Sequence, residues 1–492
     1  MKNRFLVVLM LFITCLVGQD IQQLATRFYQ ISEQFDAIGA SYCLVYNQDI
    51  YNFSYGWKDY DRQLRIDSDT KFRIASISKV ITAISAMKLV EEGLIDLDSD
   101  VSSYLGFTLR NPNFPNNQIT LRYLLTHTAG LRDSNAYSNF LSASYSQTPP
   151  AISELLLPGG DYFNSSLWTS YYAPGVAVGW DYSNLSAGLV ASIVEAVSQE
   201  HFTTYCQANI FEPLDIEACW NNFSALSDIN DLAVLYRYVG GLPTPQADNY
   251  QGFYPTEVDL EQIPYGWNGL IYAPQGGLRI STGDLAKIFK MLQNRGSYEG
   301  VQILAETTIN EMEDLNWSGS GLGGFYTEMG LQLQRTYDIF SGELFYGHAG
   351  EAYGLISDAY YNPVRDVSII FLTNGANFSY GNVFYDFEEA IFTATQEWLD
   401  AVPNYNDAVP KTDIEIYPNL VTSLKQKITI KSDEKLVNTS LYNLKGQLDK
   451  NNINSNSANE ISLVDSNLTS GFYILKIQTS TRTVHKKLII RK

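Results

Sequence analysis

The stretch Phe72-Arg73-Ile74-Ala75-Ser76-Ile77-Ser78-Lys79 opens a segment that stays almost wholly apolar as far as Gly93. Its apolar residues cover nearly every side of a helix, and such a helix lies inside a core. Ser76 and Lys79 stand three positions apart in the predicted first turn, so their side chains share a face. A lysine among apolar neighbours at a positive helix end loses proton affinity. The pair therefore predicts a serine nucleophile with a lysine base.

The spacing alone is a weak signal, because the chain contains three more Ser-x-x-Lys matches. These are Ser68/Lys71, Ser85/Lys88 and Ser432/Lys435. An arbitrary match is usually a helix cap followed by a lysine whose amine reaches solvent. Only Ser76 begins a buried helix after a short apolar run, so the prediction of a nucleophile is confined to that position.

Composition indicates a globular, acidic protein. The 492 residues are 45% hydrophobic and 13% aromatic, and the formal net charge is −20. This charge argues against general nucleic-acid binding. Residues 415–492 nevertheless hold 12 basic and 6 acidic residues, against 21 and 47 in the rest of the chain. The basic tail is predicted to be a separate module.

The N-terminus has the pattern of a secretory signal peptide over residues 1–18. Lys2 and Arg4 precede the apolar run 5–17, which is short for a transmembrane helix. A lipidated Cys15 is the alternative, although residues 12–14 suit it poorly. No later apolar run reaches membrane-spanning length, so an exported protein without a transmembrane segment is expected.

Three cysteines remain after removal of a signal peptide, namely Cys43, Cys206 and Cys219. An odd number excludes a fully paired disulfide framework. Cys206 and Cys219 either form a disulfide in an oxidising compartment or stay free, and the sequence leaves both open. Their scatter predicts no metal-binding cluster.

Periodicity predicts an α+β fold, an antiparallel sheet flanked by helices with an inserted helical subdomain. A helix over residues 19–37 and a hairpin of strands 41–46 and 51–57 come first. The predicted later strands and closing helix are 329–335, 344–348, 355–361, 367–373 and 384–399. The predicted domain spans residues 19–400, followed by a linker over 401–414 and a small all-β sandwich over 415–492.

Residues 38–400 resemble the penicillin-recognising serine hydrolases, which include class C β-lactamases, D-alanyl-D-alanine carboxypeptidases and related esterases. The resemblance rests on four motifs in the family's order. They are Ile74-Ala75-Ser76-Ile77-Ser78-Lys79, Leu125-Thr126-His127-Thr128-Ala129-Gly130-Leu131, Tyr182-Ser183-Asn184 and His348-Ala349-Gly350. It implies the β-lactamase/transpeptidase-like fold and a reaction that uses no cofactor or metal.

The resemblance also implies roles for individual residues. Ser76 would form an acyl-enzyme, with Lys79 as base or proton relay. Tyr182, its phenol pKa lowered by nearby cations, would share the base role and pass a proton to the leaving group. Asn184 would hydrogen-bond substrate and Lys79. The backbone N–H groups of Ser76 and Glu351 would form the oxyanion hole.

The triplet His348-Ala349-Gly350 departs from the lactamase form of the family. The family most often has lysine first, whereas carboxypeptidase and esterase relatives can carry histidine. In the family, the second residue of this triplet commonly carries a hydroxyl group, which helps to hold a substrate carboxylate. Ala349 has no hydroxyl group for this role. His348 and Gly350 are expected to bind substrate with Glu351, and a protonated His348 or Arg279 would offer a cation. His127 is expected to be structural, capping carbonyls at a helix end.

The tail resembles the C-terminal sorting domain of the type IX secretion system. The resemblance rests on Ile416-Tyr417-Pro418-Asn419, on the run 441–447, on 468–473 and on the basic apolar end. It implies passage through the periplasm and a secreted or cell-surface protein whose tail engages the secretion machinery. A small carbohydrate-binding or adhesion sandwich is the alternative.

The sequence leaves three functional readings open. The first is an exported serine acyl hydrolase acting on esters, amides or D-amino-acid peptides. The second is a true β-lactamase or D-Ala-D-Ala carboxypeptidase. The third is a non-catalytic penicillin-binding-type receptor that keeps the fold without turnover.

Overall fold

The computed structural model describes residues 21–401 continuously, together with parts of the chain beyond them. The described parts of the tail are 415–417, 420–421, 427–431, 436–443, 448–451, 455–456, 460–462, 468–469, 471–479 and 483–490. The predicted signal peptide and most of the predicted linker lie outside the described residues. The chain divides into two compact units, Met1–Leu399 and Asp400–Lys492.

The first unit contains both strands and helices. Its strands are β1 Gly39–Tyr46, β2 Asp49–Asp59, β3 Leu64–Arg65, β4 Phe72–Arg73, β5 Ala218–Cys219, β6 Leu235–Val239, β7 Leu242–Ala247, β8 Arg279–Ile280, β9 Ser297–Tyr298, β10 Val301–Gln302, β11 Trp317–Gly321, β12 Tyr326–Met329, β13 Gln334–Thr336, β14 Phe345–Ala352, β15 Leu355–Asn362 and β16 Val367–Gly375. Its helices are α1 (residues 21–34), α2 Ser78–Glu91, α3 Ser102–Leu105, α4 Leu121–Leu125, α5 Asn135–Ser144, α6 Ser153–Leu156, α7 Asn184–Ser198, α8 Phe202–Cys206, α9 Thr282–Gln293, α10 Glu306–Glu313 and α11 Asp386–Ala401.

A nine-stranded antiparallel sheet is assembled from both ends of the first unit. Its order is β11-β12-β13-β14-β15-β16-β1-β2-β3. The fully buried strand β16 pairs with β15 on one side and with β1 on the other. The predicted α+β architecture is thus confirmed, with a helical region inserted between β3 and β11.

The predicted first hairpin is confirmed. Strands β1 and β2 pair in register from Gly39 opposite Gly56 to Tyr46 opposite Asp49. The two turn residues Asn47 and Gln48 have φ of 51° and 70°, the left-handed region that a two-residue hairpin turn demands.

The apolar helix predicted after Ser76 is α2, and nearly all its side chains are buried. Its start differs from the prediction, because residues Ala75–Ile77 form a separate 3₁₀ turn before α2 begins at Ser78. The cause is the backbone of Ala75, whose φ of 45° cannot belong to a right-handed helix.

The prediction of one strand over 329–335 is wrong. The chain turns within it, so that β12 ends at Met329 and β13 starts at Gln334. Gly330 packs so closely that an added Cβ would lie 2.1 Å from the carbonyl oxygen of Met312. Gln332 takes φ of 56°. A φ of 56° does not belong to a straight strand.

All three described cysteines are free and buried. Cys206 lies 3.3 Å from the hydroxyl of Ser85, and Cys219 sits in the short strand β5. The pairing of Cys206 with Cys219 that the sequence left open is therefore absent from the structure.

The second unit consists of strands in the parts that are described. They are β17 Glu415–Tyr417, β18 Leu420–Val421, β19 Lys427–Lys431, β20 Leu436–Asn443, β21 Leu448–Asn451, β22 Ser455–Asn456, β23 Glu460–Ser462, β24 Gly471–Thr479 and β25 Thr483–Ile490. They form sheets ordered β17-β19-β23-β22 and β18-β25-β24-β20-β21. This arrangement agrees with the predicted all-β tail.

Removal of residues 415–492 is expected to leave the first unit folded. Each unit has its own set of buried apolar side chains, and separate cores fold separately. The unfolding temperature of the first unit, followed by circular dichroism in both chains, should shift by less than about 3 °C. Failure of the shortened chain to fold would make the tail part of the same core.

Candidate active site

Ser76 stands on a strained turn at the centre of a cleft. The positive φ of Ala75 costs about 1–3 kcal/mol in a non-glycine residue. Ser76 lies within the 3₁₀ turn Ala75–Ile77 and is only partly buried. As a result Ser76 lines two adjoining cavities of about 500 and 680 Å³.

Lys79 lies directly beneath this serine, with no exposed surface. Its Nζ donates to Ser76 Oγ at 3.0 Å, to Asn184 Oδ1 at 2.8 Å and to the carbonyl oxygen of Gln275 at 2.6 Å. Burial lowers the pKa of Lys79 to about 7, although the nearby Asp133 carboxylate raises it. The predicted loss of proton affinity is confirmed, and the amine can accept a proton near neutral pH.

Asn184 is the first residue of α7 and reaches Lys79 through its side-chain oxygen. Its position is set by Asp133, whose carboxylate accepts from the backbone N–H of Asn184 at 2.9 Å and from its Nδ2 at 2.7 Å. Leu185 N also donates to Asp133. A carboxylate at a helix N-terminus is favourable, and here it orients the amide oxygen toward the lysine. Sequence reasoning missed Asp133, because no local pattern links it to a helix 50 residues away.

Tyr182 precedes that helix and packs against the same lysine. Lys79 Nζ lies 4.9 Å from the centroid of the Tyr182 ring. The Tyr182 hydroxyl is near the hydroxyls of Ser76 and Tyr326. It is buried without an aligned hydrogen bond to any described residue. Such a free hydroxyl, beside the nucleophile, is available to a bound substrate.

The expectation of a lowered pKa at Tyr182 is wrong. Burial raises the pKa of this phenol above its ordinary value, and the neighbouring Ser76 hydroxyl offsets only part of that rise. The sequence argument counted nearby cations but not desolvation, which disfavours the phenolate. Tyr182 therefore stays protonated at neutral pH and is a proton donor, so the base role falls to Lys79.

Strand β14 forms the other side of the cleft and carries Ala349, Gly350 and Glu351 along it. A Cβ at Gly350 would lie 2.6 Å from the carbonyl oxygen of Ile74 and 2.5 Å from Ser357 Oγ. Only glycine allows the strand to approach the Ser76 turn this closely. The Glu351 carboxylate accepts from Tyr385 Oη at 2.7 Å.

His348 on β14 is fully buried and lines neither cavity. Its Nδ1 donates to the carbonyl oxygen of Ala349 at 2.6 Å. Burial, and secondarily the charge of Lys79, lowers the pKa of His348 to about 3. The cation that a protonated His348 would have offered to a substrate carboxylate is therefore absent at neutral pH. The ring lies behind Tyr182 and Tyr326, at centroid distances of 6.2 and 5.8 Å, where it supports these tyrosines.

His127 also supports Tyr182, but not by capping carbonyls as expected. Its Nδ1 accepts the backbone N–H of Ser183 at 3.2 Å. Its ring lies 4.5 Å from that of Tyr182. The difference arises because His127 takes φ of 58°, which turns it out of the helix end.

The two cavities differ in chemistry. The tyrosine cavity is defined by Ser76, Leu322, Gly323, Gly324, Phe325, Tyr326, Tyr182, Ala349, Gly350, Glu351, Tyr380, Asn382, Val383, Phe384, Tyr385 and Glu388. The arginine cavity lies on the other side of Ser76 and includes Arg73, Asn184, Gln275 and Arg279. Tyr182 lines the first cavity only, and Asn184 lines the second only.

Two of the three arginines that line the arginine cavity, Arg73 and Arg279, are tied to a buried carboxylate. Asp248 accepts from Arg73 at 2.8 Å and from Arg279 at 2.8 Å. Burial alone would raise the pKa of Asp248, but the two guanidinium groups hold it well below its ordinary value. Arg279 is also bonded to the carbonyl oxygens of Trp220 and Gly277. The sequence had suggested Arg279 as a cation for a substrate carboxylate. Because these bonds occupy its guanidinium group, Arg279 is not free for that role.

No group of three or more His, Cys, Asp or Glu side chains within the described ranges is placed to hold a metal ion. In the same ranges no helix has the length and apolar character needed to cross a membrane.

Comparison with known proteins adds independent findings. The beta-lactamase family model matches residues 24–383, and the model of the secretion system C-terminal sorting domain matches residues 415–491. Penicillin-binding protein 4* of Bacillus subtilis (strain 168) is 27% identical over 192 residues, which cover 39% of this chain and 40% of that protein. The chain thus aligns with about two fifths of the length of the curated relatives it matches.

Solved structures share the fold at low sequence identity. The octameric penicillin-binding protein homologue from Pyrococcus abyssi has a TM-score of 0.57 and 20% identity, covering 96% of this chain and 97% of that one. The D-amino acid amidase from Ochrobactrum anthropi SV3 has a TM-score of 0.56 and 18% identity, covering 80% and 100%.

Proposed function

The chain belongs to the beta-lactamase family, and from that premise we propose that it is an exported serine acyl hydrolase that forms an acyl-enzyme at Ser76. The observation that carries the proposal is the buried Lys79 amine, 3.0 Å from Ser76 Oγ, with its pKa lowered to about 7. A neutral amine at that distance is the base that a serine nucleophile needs.

Each proton in the reaction has a defined route. Ser76 Oγ attacks the substrate carbonyl carbon while its proton passes to Lys79. The negative oxygen that forms is held by the backbone N–H groups of Ser76 and Glu351. The bond to the leaving group then breaks, and the departing atom takes a proton from the Tyr182 hydroxyl. Lys79 then gives the proton that it took from Ser76 to Tyr182. Water next attacks the acyl carbon and loses a proton to Lys79. As the bond between the acyl carbon and Ser76 Oγ breaks, Lys79 returns that proton to Ser76 Oγ, and the acid and the free enzyme are released.

The position of Tyr182 indicates which cavity holds the leaving group and which holds the acyl group. Because its hydroxyl protonates the leaving group, the leaving group occupies the tyrosine cavity. The acyl group then extends into the arginine cavity, where Asn184 can hydrogen-bond it. Esters, amides and D-amino-acid peptides all contain the required acyl carbon, and the D-amino acid amidase among the fold relatives is compatible with the last two.

A fluorescent serine-directed acylating probe tests the proposal against the non-catalytic receptor. An enzyme hydrolyses its acyl-serine, so the label should appear and then be lost within minutes. A permanent label would contradict turnover and favour the receptor.

The pH dependence of kcat/KM should follow Lys79. Its pKa is lowered from the ordinary lysine value to about 7, so the neutral base is scarce below pH 7 and abundant above it. We expect kcat/KM for a neutral ester to rise about tenfold per pH unit below pH 7 and to level off above it. A rate that falls as the pH rises through 7 would exclude Lys79 as the base.

The lack of a hydroxyl at Ala349 should disfavour substrates with a carboxylate on the leaving group. The residues that line the tyrosine cavity include Glu351 and Glu388 but no lysine or arginine. A lost hydrogen bond to a charged group is worth roughly 1.5–3 kcal/mol, on the order of 10- to 100-fold in kcat/KM. A peptide ending in D-Ala-D-Ala should therefore be cleaved more slowly than its C-terminal amide. If the free acid is cleaved ten times faster, this interpretation of Ala349 is wrong.

The two ends of the chain support export. The sorting-domain match over residues 415–491 and the signal-peptide pattern over 1–18 favour passage through the periplasm and release at the cell surface or into the medium. The tail would be the part that the type IX secretion machinery binds. The division into signal peptide, hydrolase domain over 19–400, linker over 401–414 and sorting domain over 415–492 is part of this proposal.

A further inference from the structure

The tyrosine cavity offers a bound group little charge. Among the described residues that line it, none is a lysine or arginine, and the acids are Glu351 and Glu388. Glu388 lies in the first turn of α11 and accepts the backbone N–H of Tyr385 at 2.8 Å. Burial raises the pKa of Glu388, which favours its neutral form. Glu351 is exposed, so that water and the Tyr385 hydroxyl, at 2.7 Å, solvate its charge.

The walls of this cavity are largely aromatic. The ring of Phe325 is perpendicular to that of Tyr326, with centroids 5.0 Å apart, and nearly perpendicular to that of Phe384, at 5.3 Å. Tyr380 stacks on Tyr385 at 4.8 Å. Aromatic rings attract a further ring both at their edges and on their faces. The cavity is therefore suited to a group that contains an aromatic ring.

Three apolar side chains of the cavity are exposed to water. Tyr380 is 84% exposed, Leu322 60% and Val383 36%. Leu322 also takes φ of 43°, a conformation that costs free energy in a branched residue and that recurs at ligand-binding sites. Scattered exposed apolar residues are ordinary, but a group of them around one cavity marks a binding surface. A ligand that covers them gains the free energy of removing apolar surface from water.

We infer that the tyrosine cavity binds a leaving group that carries an aromatic ring. The inference rests on the proposed function, because the position of Tyr182 makes this cavity the leaving-group side. It narrows the substrate class to esters or amides of arylalkyl alcohols or amines. A cavity of about 500 Å³ has room for a phenylalkyl group. The proton route is unchanged, since the ring lies outside the bond that breaks.

Two acetate esters test the preference on the full chain. 2-Phenylethyl acetate and ethyl acetate have the same acyl group, and their rates of alkaline hydrolysis correct for intrinsic reactivity. After this correction, kcat/KM for the phenylethyl ester should be at least about tenfold higher, because the cavity removes the ring from water. Equal corrected rates overturn the inference and leave the hydrolase proposal intact. The absence of hydrolysis of every ester contradicts the hydrolase proposal itself.

Two further acetates separate an aromatic site from other sites. 2-Cyclohexylethyl acetate is also apolar but has no aromatic ring, and its kcat/KM should be at least about twofold below that of the phenylethyl ester. An equal or faster rate for the cyclohexylethyl ester overturns the inference. Faster hydrolysis of choline acetate would assign the cavity to a cation held by Glu351 and would overturn it as well.

The double variant Leu322→Ala/Tyr380→Ala ties the preference to this cavity. Both side chains are exposed, so their truncation should leave the fold intact. The ratio of the phenylethyl to the ethyl kcat/KM should fall at least about threefold. The ratio is the readout, because a folding defect lowers both rates together. A double variant that keeps the wild-type ratio overturns the assignment.

Leu315→Ala/Tyr337→Ala is the matched control. It also truncates an exposed leucine and an exposed tyrosine, 52% and 44% exposed, but neither residue lines the tyrosine cavity or the arginine cavity. The control should keep the wild-type ratio. An equal fall of the ratio in the control would show that the preference does not come from the cavity, and would overturn the inference.

Discussion

Replacement of Ser76 by alanine is expected to lower kcat/KM for every hydrolysed substrate by at least about 10³-fold. The variant retains the oxyanion-hole backbone but has no atom that can form the acyl-enzyme. The Ser76 hydroxyl bonds the Lys79 amine, and the N-cap position of its turn is held by Ile74, not by Ser76. The free energy of unfolding should therefore change by no more than about 1 kcal/mol. Ester hydrolysis and thermal unfolding of the purified protein measure both effects.

Ser85→Ala is the matched control for this variant. Ser85 lies on the same buried helix and is also followed by a lysine three residues later, but its hydroxyl donates to the carbonyl oxygen of Ile81 at 2.9 Å. Its loss should leave kcat/KM nearly unchanged. Residual activity above a few per cent in Ser76→Ala would show that another residue is the nucleophile.

Replacement of Lys79 by methionine is expected to lower kcat/KM by about 10²- to 10⁴-fold, the usual contribution of a general base. Methionine fills a similar volume and removes the amine that bonds Ser76, Asn184 and Gln275. These three oxygen acceptors then lose a donor, but the cost of burying an amine is also removed. The free energy of unfolding should fall by no more than about 2 kcal/mol.

Lys88→Met is the control for Lys79→Met. Lys88 follows Ser85 with the same spacing, and its amine donates to the carbonyl oxygen of Ile303 at 3.3 Å. Its activity should stay within about twofold of wild type. A Lys79 variant that unfolds and loses activity in parallel would indicate a structural lysine, whereas lost activity in a folded protein supports the base.

The sequence predicted those parts of the fold that local patterns determine. Alternation and the turn at Asn47 and Gln48 were sufficient for the first hairpin, and the apolar run after Ser76 for the buried helix. The turn within 329–335 was missed because it depends on contact between Gly330 and Met312, which no local pattern records. The hairpin of β6 and β7 was missed because its second strand, Leu242–Ala247, contains two prolines that argue against a strand.

The residues of the site that belong to sequence motifs were predicted, and those outside the motifs were not. Four separated motifs were expected to meet, and the structure places Ser76, Lys79, Asn184 and Tyr182 together. Asp133 and the Gln275 carbonyl were not predicted, because they belong to no motif and act only through tertiary contact. Protonation was predicted correctly for Lys79 and wrongly for Tyr182. Burial was evident from the sequence for the helix, but not for a tyrosine in a polar loop.

Mass spectrometry of the acyl-enzyme tests the central claim most directly. The full chain is mixed with a neutral ester, quenched in acid within seconds, and examined intact and after proteolysis. The account predicts an added mass equal to the acyl group, located on the peptide that contains Ser76, lost as the substrate is exhausted and absent from Ser76→Ala. An adduct on another peptide, or the same adduct in Ser76→Ala, would contradict it.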